Sequence, residues 1–335
     1  MSSLINLSPV LFFLICWCSF NLLFRPCLSA CNSADKQVLL QIKQALNNPY
    51  HLASWNPDTD CCDWYDVECD PDTSRIITLN IFSANISGQI PPQVGSLPYL
   101  QTLIFHKITN ITGTIPSTLS KLKRLEMLRL NNLNLSGTIP DFFSELRNLT
   151  FLDLSFNQLT GSLPTSVNKL SNLLALHFDR NQLTGTIPDT YGKFVGSVPE
   201  IYLSHNQLSG EIPDSMRLLN FTKIDVSRNQ LEGDASLLLG QSNKALFYLD
   251  ISRNAFSFDL GKVEFPGGLG YLDVNHNKIY GNIPAAITSL DLQFLNASYN
   301  RLCGQIPVGG KLQSFDYSSY IHNKCLCGSP LPECM

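Results

Sequence analysis

The sequence predicts an α/β solenoid, a curved stack of short coils that is closed at both ends by disulfide-stapled caps. The first observation is a recurring frame, LTFLDLSFNQLTGSLP at 149–164, which returns as LLALHFDRNQLTGTIP at 173–188 and VPEIYLSHNQLSGEIP at 198–213. The second is its nearly constant period, and the third is that eight of the eleven cysteines flank the repeats. A period of roughly 20–29 residues is typical of leucine-rich solenoids.

The frame can be counted along the chain from its first apolar residue. That residue falls at Ile76, Leu100, Leu125, Leu149, Leu173, Val198, Phe221, Leu246, Leu269 and Leu292. The nine steps between 76 and 292 cover 216 residues, so the mean coil has 24. One coil cannot bury its apolar side alone, whereas stacked coils share a continuous core. We therefore predict ten coils over residues 76–307.

Residues 1–29 are interpreted as a secretory signal peptide. Residues 10–18 and 20–24 are apolar, and Cys27 and Ser29 supply small residues before a cleavage site. The amino-terminal region has no Lys or Arg, and a membrane anchor is the alternative. No second apolar run of about 18 residues follows. We therefore expect no membrane span and a protein released from the cell.

Composition excludes several functional classes. The net charge is −4 and only 15% of the residues are charged, whereas a nucleic-acid binder normally carries a basic patch. The motifs HExxH, GxSxG and GxxxxGK[ST] are absent. The sequence therefore predicts a protein that is not an enzyme, needs no cofactor and binds no nucleic acid.

The amino-terminal cap is predicted over residues 30–75. Residues 34–46 place Val38, Leu39, Ile42, Ala45 and Leu46 on one helical face. Trp55 and Trp64 are expected in the core of this cap.

Outside the signal peptide, four cysteines lie in this cap and four near the end of the chain, one of these in the last coil and three in a carboxy-terminal cap at 308–335. Even numbers of cysteines in a secreted chain indicate disulfides, and a solenoid needs lids over its exposed ends. Zinc is disfavoured because the spacings differ from those of zinc sites. We predict disulfides at Cys31, Cys61, Cys62, Cys69, Cys303, Cys325, Cys327 and Cys334.

Within each coil, the LxxLxL segment predicts a short strand whose leucines face the core. An asparagine nine places into the frame is expected to bond the main chain of its own and adjacent coils. It recurs at Asn157, Asn181, Asn206, Asn229, Asn254, Asn277 and Asn300. The LxGxIP half predicts a second strand and a turn. Coil 3 has Leu133 in the asparagine position, and coils 7 and 8 depart from the frame as LEGDAS and FSFDLGKV.

The strand positions between the leucines are expected to form a concave face open to solvent. Its candidate partner-binding residues are Phe151, Asp153, His177, Asp179, Arg180, Glu200, Tyr202, His205, Lys223, Asp225, Arg228, Tyr248, Asp250, Arg253, Tyr271, Asp273 and His276. Five aspartates among them, at 153, 179, 225, 250 and 273, are predicted to form an acidic stripe flanked by His and Arg. The alternative is that each aspartate is solvated filler common to such repeats.

Six sequons predict N-glycosylation, because each asparagine is followed two residues later by Ser or Thr with no intervening Pro. They lie at Asn85, Asn110, Asn134, Asn148, Asn220 and Asn296.

The LxxLxLxxNxLxGxIP frame resembles the plant-type leucine-rich repeat. Together with DKQVLLQIKQAL, LEGDAS, FDLGKV, SYNRLCGQIP and NKCLCGSPLPEC, it resembles the polygalacturonase-inhibiting proteins of plant cell walls. That resemblance implies a curved right-handed superhelix with a concave parallel sheet. It also implies disulfides Cys31–Cys61, Cys62–Cys69, Cys303–Cys325 and Cys327–Cys334.

The resemblance further implies a secreted defence protein, expected to be a monomer, whose target is a microbial endopolygalacturonase. The cleft of that enzyme holds a polyanion, and an acidic face would complement it. Three histidines, at 177, 205 and 276, titrate in the mildly acidic range, so we expect binding to vary between roughly pH 4.5 and 7. Arg180, Arg228 and Arg253 offer a weaker site for wall pectin.

Two alternatives remain from the sequence. The segments at 88–101, 201–208, 271–279 and 290–296 also resemble the antifreeze protein of carrot, and membership of a fold does not decide function. An ice-binding array would be built from Thr112, Thr138, Thr160, Thr184 and Ser209 beside the turn glycines. The charged concave face argues against ice. The other alternative is a different extracellular recognition module.

Overall fold

The computed structural model describes residues 30–240 and 242–335. The predicted signal peptide, residues 1–29, lies outside the described residues. None of the helices within the described ranges is long and apolar enough to cross a membrane.

The amino-terminal cap is built on helix α1 (Ser33–Ala45). Asn32 begins the helix by accepting hydrogen bonds from the amides of Ala34 and Asp35, as a side-chain N-cap does. The helix lies one residue earlier than predicted at each end. Leu39, Ile42 and Leu46 are buried and Val38 is half-buried, but Ala45 is exposed, because it lies at the margin of the packed helical face.

A buried ion pair joins this cap to the first coil. The Asp35 carboxylate accepts from the Arg75 guanidinium at 2.8 Å through both oxygens, and from the Ile76 amide at 3.1 Å. Trp55 and Trp64 are buried and stack with ring centroids 5.8 Å apart. The predicted aromatic core of the cap is therefore confirmed.

An inner sheet runs through the whole array. Its edge strand β1 pairs antiparallel with β2, and the strands that follow are parallel, one from each coil. The strands are β1 (Val67–Cys69), β2 (Ile76–Phe82), β4 (Thr102–His106), β6 (Met127–Asn131), β8 (Phe151–Asp153), β10 (Ala175–His177), β12 (Glu200–Tyr202), β14 (Lys223–Asp225), β16 (Tyr248–Asp250), β18 (Tyr271–Asp273) and β20 (Phe294–Asn296).

A second, outer parallel sheet is formed by the LxGxIP halves of the coils. Its strands are β3 (Gly88–Gln89), β5 (Ile111–Gly113), β7 (Asn134–Thr138), β9 (Gln158–Ser162), β11 (Gln182–Gly185), β13 (Gln207–Glu211), β15 (Gln230–Gly233) and β17 (Ala255–Phe256). A separate small sheet continues on this side with β19 (Tyr280–Gly281), β21 (Arg301–Gln305) and β22 (Cys325–Cys327).

Short 3₁₀ helices return the chain to the inner sheet. In six coils the proline of the IP pair is the N-cap residue of this helix, which its fixed φ favours. The 3₁₀ helices are Tyr50–Leu52, Cys61–Asp63, Pro92–Ser96, Ser117–Lys121, Asp141–Glu145, Val167–Lys169, Asp189–Gly192, Asp214–Leu218, Ser236–Leu239, Leu260–Lys262, Ala285–Ser289 and Tyr317–Ser319.

Leucines fill the space between these layers, and the predicted asparagine ladder is present. Asn181 donates to the carbonyls of Leu154 in the preceding coil and Phe178 in its own, and it accepts from the Leu159 amide, all within 3.1 Å. These bonds satisfy main-chain groups that have no strand partner.

The ladder also extends beyond the predicted coils. Asn323 donates to Ala297 and Tyr320 and accepts from Leu302 in the same pattern. Residues 319–323 thus act as a further rung inside the predicted carboxy-terminal cap. The triplet HNK, shared by 276–278 and 322–324, was a sequence signal for it.

The caps contain four disulfides, Cys31–Cys61, Cys62–Cys69, Cys303–Cys325 and Cys327–Cys334. They are the pairs that the family resemblance implies. The predicted α/β solenoid with disulfide-stapled caps is confirmed.

Candidate protein-binding face

The inner sheet arranges its side chains in rows across the coils, because equivalent strand positions pair in register. We call the row at the last residue of the short strands the central row. It runs Arg129, Asp153, His177, Tyr202, Asp225, Asp250, Asp273, Asn296.

A second row lies two residues earlier along each strand, and we call it the leading row. It contains Met127, Phe151, Ala175, Glu200, Lys223, Tyr248, Tyr271 and Phe294. Lys223 and Glu200 form an ion pair across it at 3.1 Å.

The predicted acidic stripe is not one straight line. His177 pairs with Asp153 and Tyr202, so it occupies the central-row position of its coil. Asp179 lies two residues further along the chain, outside the strand. The prediction grouped the aspartates by residue type, although Asp153 is fifth and Asp179 seventh in the frame. Only Asp225, Asp250 and Asp273 are adjacent to one another in the row.

Several of these aspartates do not point freely to solvent, which corrects the sequence prediction. Asp153 is only 1% exposed, accepts from the amide and hydroxyl of Ser155, and pairs with Arg129 at 3.1 Å. Asp273 is 7% exposed and accepts from the Asn275 amide. In the narrow space between neighbouring coils, these carboxylates close the turn that follows the strand.

The half-buried carboxylates titrate abnormally. Burial, with a contribution from Asp153, raises the pKa of Asp179 to about 7. Burial, with a contribution from Asp225, raises the pKa of Asp250 to about 7. Burial also raises the pKa of Asp273. Desolvation and like charges both disfavour the ionised form, so the inner face gains negative charge as the pH rises toward neutrality.

The histidines titrate in the opposite direction. Burial lowers the pKa of His177. Burial and then Arg180 lower the pKa of His205, and burial and then Arg253 lower the pKa of His276. These imidazoles therefore stay neutral further into the acidic range than free histidine does.

A third set, which we call the turn row, lies just before the ladder asparagine and not in the strands. It contains Phe156, Arg180, His205, Arg228, Arg253, His276, Tyr299 and His322. Each has φ between 52° and 57°, a left-handed conformation that bulky residues rarely adopt. Repetition in every coil shows that the turn geometry imposes it.

The aspartates and the turn row enclose a concavity of about 500 Å³. Asp179, Asp225, Asp250 and Asp273 line it together with turn-row residues, namely Arg180, His205, Arg228 and Arg253. The groove thus has carboxylates on one side and the mainly cationic turn row on the other; the sequence prediction was an acidic stripe flanked by His and Arg.

Aromatic side chains extend the face toward the carboxy-terminal coils and also lie near its middle. Tyr248, Tyr271 and Phe294 stack along the leading row with centroids 4.1 and 4.4 Å apart. Tyr202 lies in the central row against His177, at 4.5 Å. Burial raises the pKa of Tyr202 and of Tyr271 to about 12, so their hydroxyls remain donors.

Sequence reasoning missed several residues of this face. Phe294 continues the tyrosine stack, and Arg129 continues the central row at the other end. The signal was the frame itself, since each occupies the same frame position as residues that were predicted.

The predicted sequons fall on several surfaces. Asn85, Asn110, Asn148 and Asn220 are exposed. Asn134 is half-buried and accepts from the Gln158 amide. Asn296 is half-buried at the end of the central row, next to Asp273, and accepts from Ser298.

Among the described residues, the possible metal-ligand groups are Cys31 with Cys62 and Cys69, and Cys31 with Asp60 and Cys61. Their cysteines are bonded in disulfides, so the sulfurs are not thiolate ligands. This donor set does not fit a metal.

Coils that each contribute a strand to the inner side and a strand to the outer side, an asparagine ladder and disulfide-bonded caps define the class of leucine-rich-repeat proteins. The chain matches the model described as Leucine rich repeat N-terminal domain over residues 32–70. It also matches the Leucine Rich Repeat model at 124–146, 148–170 and 198–219.

Similar proteins of known name identify a family within this class. The chain is 62% identical over 313 residues to a polygalacturonase inhibitor of Vitis vinifera, covering 92% of this chain and 94% of the relative. It is 62% identical over 316 residues to a polygalacturonase inhibitor of Pyrus communis, covering 94% and 96%. The chain belongs to the polygalacturonase inhibitor family.

A solved structure of a plant ice-binding protein is also similar. Its TM-score is 0.90 at 53% identity, with 92% of this chain and 99% of that chain covered. This similarity agrees with the resemblance to the carrot protein noted from the sequence.

Proposed function

We propose that the protein binds microbial endopolygalacturonases through its inner face and inhibits them. Its relatives named polygalacturonase inhibitors cover almost its full length. The observation that carries the proposal is the groove lined by Asp179, Asp225 and Asp250. A cleft that holds a polyanionic substrate is rich in cations, and complementary charge speeds encounter and fixes orientation.

In this proposal the protein blocks substrate access and performs no catalysis itself. The tyrosines and arginines of the face are residue types that often dominate interface energies. Asp153 and Asp273 act mainly by holding the turns, because their carboxylates are buried. Arg180, Arg228 and Arg253 remain a weaker candidate site for wall pectin.

The cellular setting belongs to the same proposal. Four disulfides fit an oxidising compartment, and the six sequons fit passage through the secretory pathway. We place the protein outside the cell, in the plant wall, as a glycosylated monomer.

The test neutralises the half-buried aspartates together, as Asp179→Asn, Asp225→Asn and Asp250→Asn. We expect the inhibition constant for a fungal endopolygalacturonase to rise by roughly tenfold or more, since close charge pairs couple by about 1.5 kcal/mol or more. The matched control is Asp141→Asn with Asp189→Asn and Asp214→Asn, on the 3₁₀ helices. It removes the same number of carboxylates, and both variants are compared at about pH 7, where Asp179 and Asp250 are partly ionised.

Equal inhibition by the two triple variants would reject the inner groove as the docking surface. If the unmodified protein inhibited no endopolygalacturonase from a panel of pathogens, the functional proposal itself would be wrong.

Ice binding is a second candidate, favoured by the outer sheet. Thr112, Thr160 and Thr184 donate to the carbonyls of Gly88, Gly137 and Gly161 in the preceding coils. Thr138, which follows its glycine, lies beside Thr160. The hydroxyls are thereby held outward over several coils. At coils 6 and 7 the paired residues are Glu211 and Glu232, which end the neutral array.

Thermal hysteresis distinguishes the two candidates. An ice-binding protein is expected to show it, and to lose much of it when Thr160→Lys and Thr184→Lys interrupt the hydroxyl array. Inhibition of the enzyme should not change in that variant, because both threonines lie on the outer sheet.

A further inference from the structure

The outer sheet is interrupted where the sequence departs from its frame, at LEGDAS and FSFDLGKV. Strand β17 pairs with β15, but it has no ladder with β19. An isolated bridge between Asp259 and Tyr280 joins the two sides, with main-chain hydrogen bonds from Lys278 to Phe256 and from Tyr280 to Phe258.

A phenylalanine in the glycine position explains the interruption. Gly233 and Gly281 occupy this position in the neighbouring coils with φ of 76° and 84°. Phe258 is not in the left-handed region, and its ring is buried at 3% exposure. The backbone of coil 8 therefore follows a different path, since a bulky residue disfavours positive φ.

A pocket of about 260 Å³ occupies this interruption. Its polar lining comes from Asp234, Ser236, Ser257, Asp259 and Lys262. The Tyr280 ring also lines it and is 47% exposed. The same strand position carries Thr160 and Thr184 in regular coils, so a small hydroxyl is here replaced by an aromatic ring.

The chemistry of the lining restricts the ligand. Two carboxylates against one lysine disfavour uronates and phosphates, and Lys262 lies 3.6 Å from Asp259. A divalent cation is disfavoured because, among the described residues, no three side chains of His, Cys, Asp or Glu converge here. In addition, one oxygen of each carboxylate already accepts a main-chain hydrogen bond. Asp234 accepts from the Ser236 amide and Asp259 accepts from the Gly261 amide.

A neutral sugar ring can form hydrogen bonds with the polar groups that line the pocket. Its hydroxyls can donate to the carboxylate oxygens that accept no main-chain amide, and they can accept from Lys262 and the serines. Its apolar face can lie against Tyr280, which offers an apolar body with a polar tip. The volume is below the roughly 300–1,000 Å³ of sites for drug-sized ligands, which fits a single ring.

We propose that this outer pocket binds one neutral sugar unit of a saccharide. The proposal does not rest on the enzyme-inhibiting function, because the pocket uses no residue of the inner sheet. A protein held to a neutral wall saccharide on its outer side would keep its inner face free.

The experiment uses saturation-transfer NMR to detect binding of cellotetraose and mannotetraose and to measure their affinities. Tetragalacturonate is the charged probe for comparison. We expect binding of at least one neutral tetramer, and a loss of roughly tenfold in affinity for Tyr280→Ala. Tyr280→Phe keeps the ring and should retain affinity within roughly threefold. The control Tyr317→Ala removes another exposed tyrosine, 56% exposed, outside the pocket.

The circular dichroism spectrum and urea denaturation of Tyr280→Ala should match those of the unmodified protein, which shows that the variant is folded. Absence of binding by both neutral tetramers would overturn the proposal. Affinity unchanged in Tyr280→Ala, or tetragalacturonate binding that depends on Tyr280 and equals that of the neutral probes, would also overturn it.

Discussion

At the scale of single residues, the asparagine ladder decides the path of each coil. Asn206 accepts from the Leu183 amide and donates to the carbonyls of Phe178 and Leu203, all at 3.0 Å. It is 9% exposed. These bonds span two coils, and they fix the turn that places the neighbouring residue, His205, in its left-handed conformation.

Coil 3 shows what an apolar residue at this position requires. Leu133 is buried there. In a regular coil the asparagine side chain would accept a hydrogen bond from the amide that corresponds to Ile111. Here the Ile111 amide donates to the Ile108 carbonyl at 3.0 Å instead. The extra residue of coil 2 makes this local bond possible. Regular coils lack that extra residue.

We predict that Asn206→Leu destabilises the protein by about 3 kcal/mol. Leucine has a similar size, so the loss comes from buried main-chain groups left without partners, at about 1–3 kcal/mol each. Urea denaturation followed by circular dichroism measures it. Gln207→Ala, at the exposed adjacent residue, should change stability by less than about 0.5 kcal/mol. Equal stability of Asn206→Leu and the unmodified protein would contradict the role of the ladder.

At the scale of elements, the sequence predicted much and missed specific things. The two strands per coil, the ladder and the inner-face residues follow from a frame of fixed spacing, and that spacing can be counted in the sequence. The burial of Asp153 and Asp273 could not be predicted, because it depends on how closely the next coil approaches. Five residues of the turn row were predicted for this face, but their left-handed conformation was missed, because Arg carries no propensity for it and neither does Phe.

Burial of the carboxylates on the inner strands makes the free energy of unfolding depend on pH. The pKa of Asp250 is raised to about 7 in the folded protein by burial, whereas in the unfolded chain it is near the ordinary value of about 3.9. The folded state therefore binds the proton more tightly. The resulting stabilisation is complete below about pH 4 and is lost as the pH rises through about 7.

We predict that Asp250→Asn removes this loss of stability at higher pH. The amide keeps an oxygen that accepts from the Ser252 amide, a bond of 2.9 Å in the native protein. The variant should become more stable than the unmodified protein as the pH rises from about 4 to about 7, measured as the difference in unfolding free energy at each pH. Asp214→Asn, at an exposed carboxylate, should show no such trend. A difference that does not change with pH would contradict the shifted pKa.

At the scale of the whole molecule, the same protons couple to partner binding. Near neutral pH the raised pKa values leave Asp179 and Asp250 partly protonated. A cationic partner favours their ionised form, so docking should release protons and strengthen as the pH rises. The lowered pKa values of His177, His205 and His276 keep those side chains neutral until more acidic conditions. Their protonation then weakens docking in the same direction.

We therefore predict that affinity for an endopolygalacturonase increases with pH between roughly 5 and 7. The enzyme titrates too, so the informative quantity is the ratio of affinities between the unmodified protein and the pair Asp179→Asn, Asp250→Asn against one enzyme. That ratio should grow with pH, because the variant has lost the groups that ionise. Calorimetry in buffers of different ionisation enthalpy should show fewer protons released by the variant. An equal pH dependence for both proteins would show that the enzyme alone titrates, and the inner-face carboxylates would then not contact its cations.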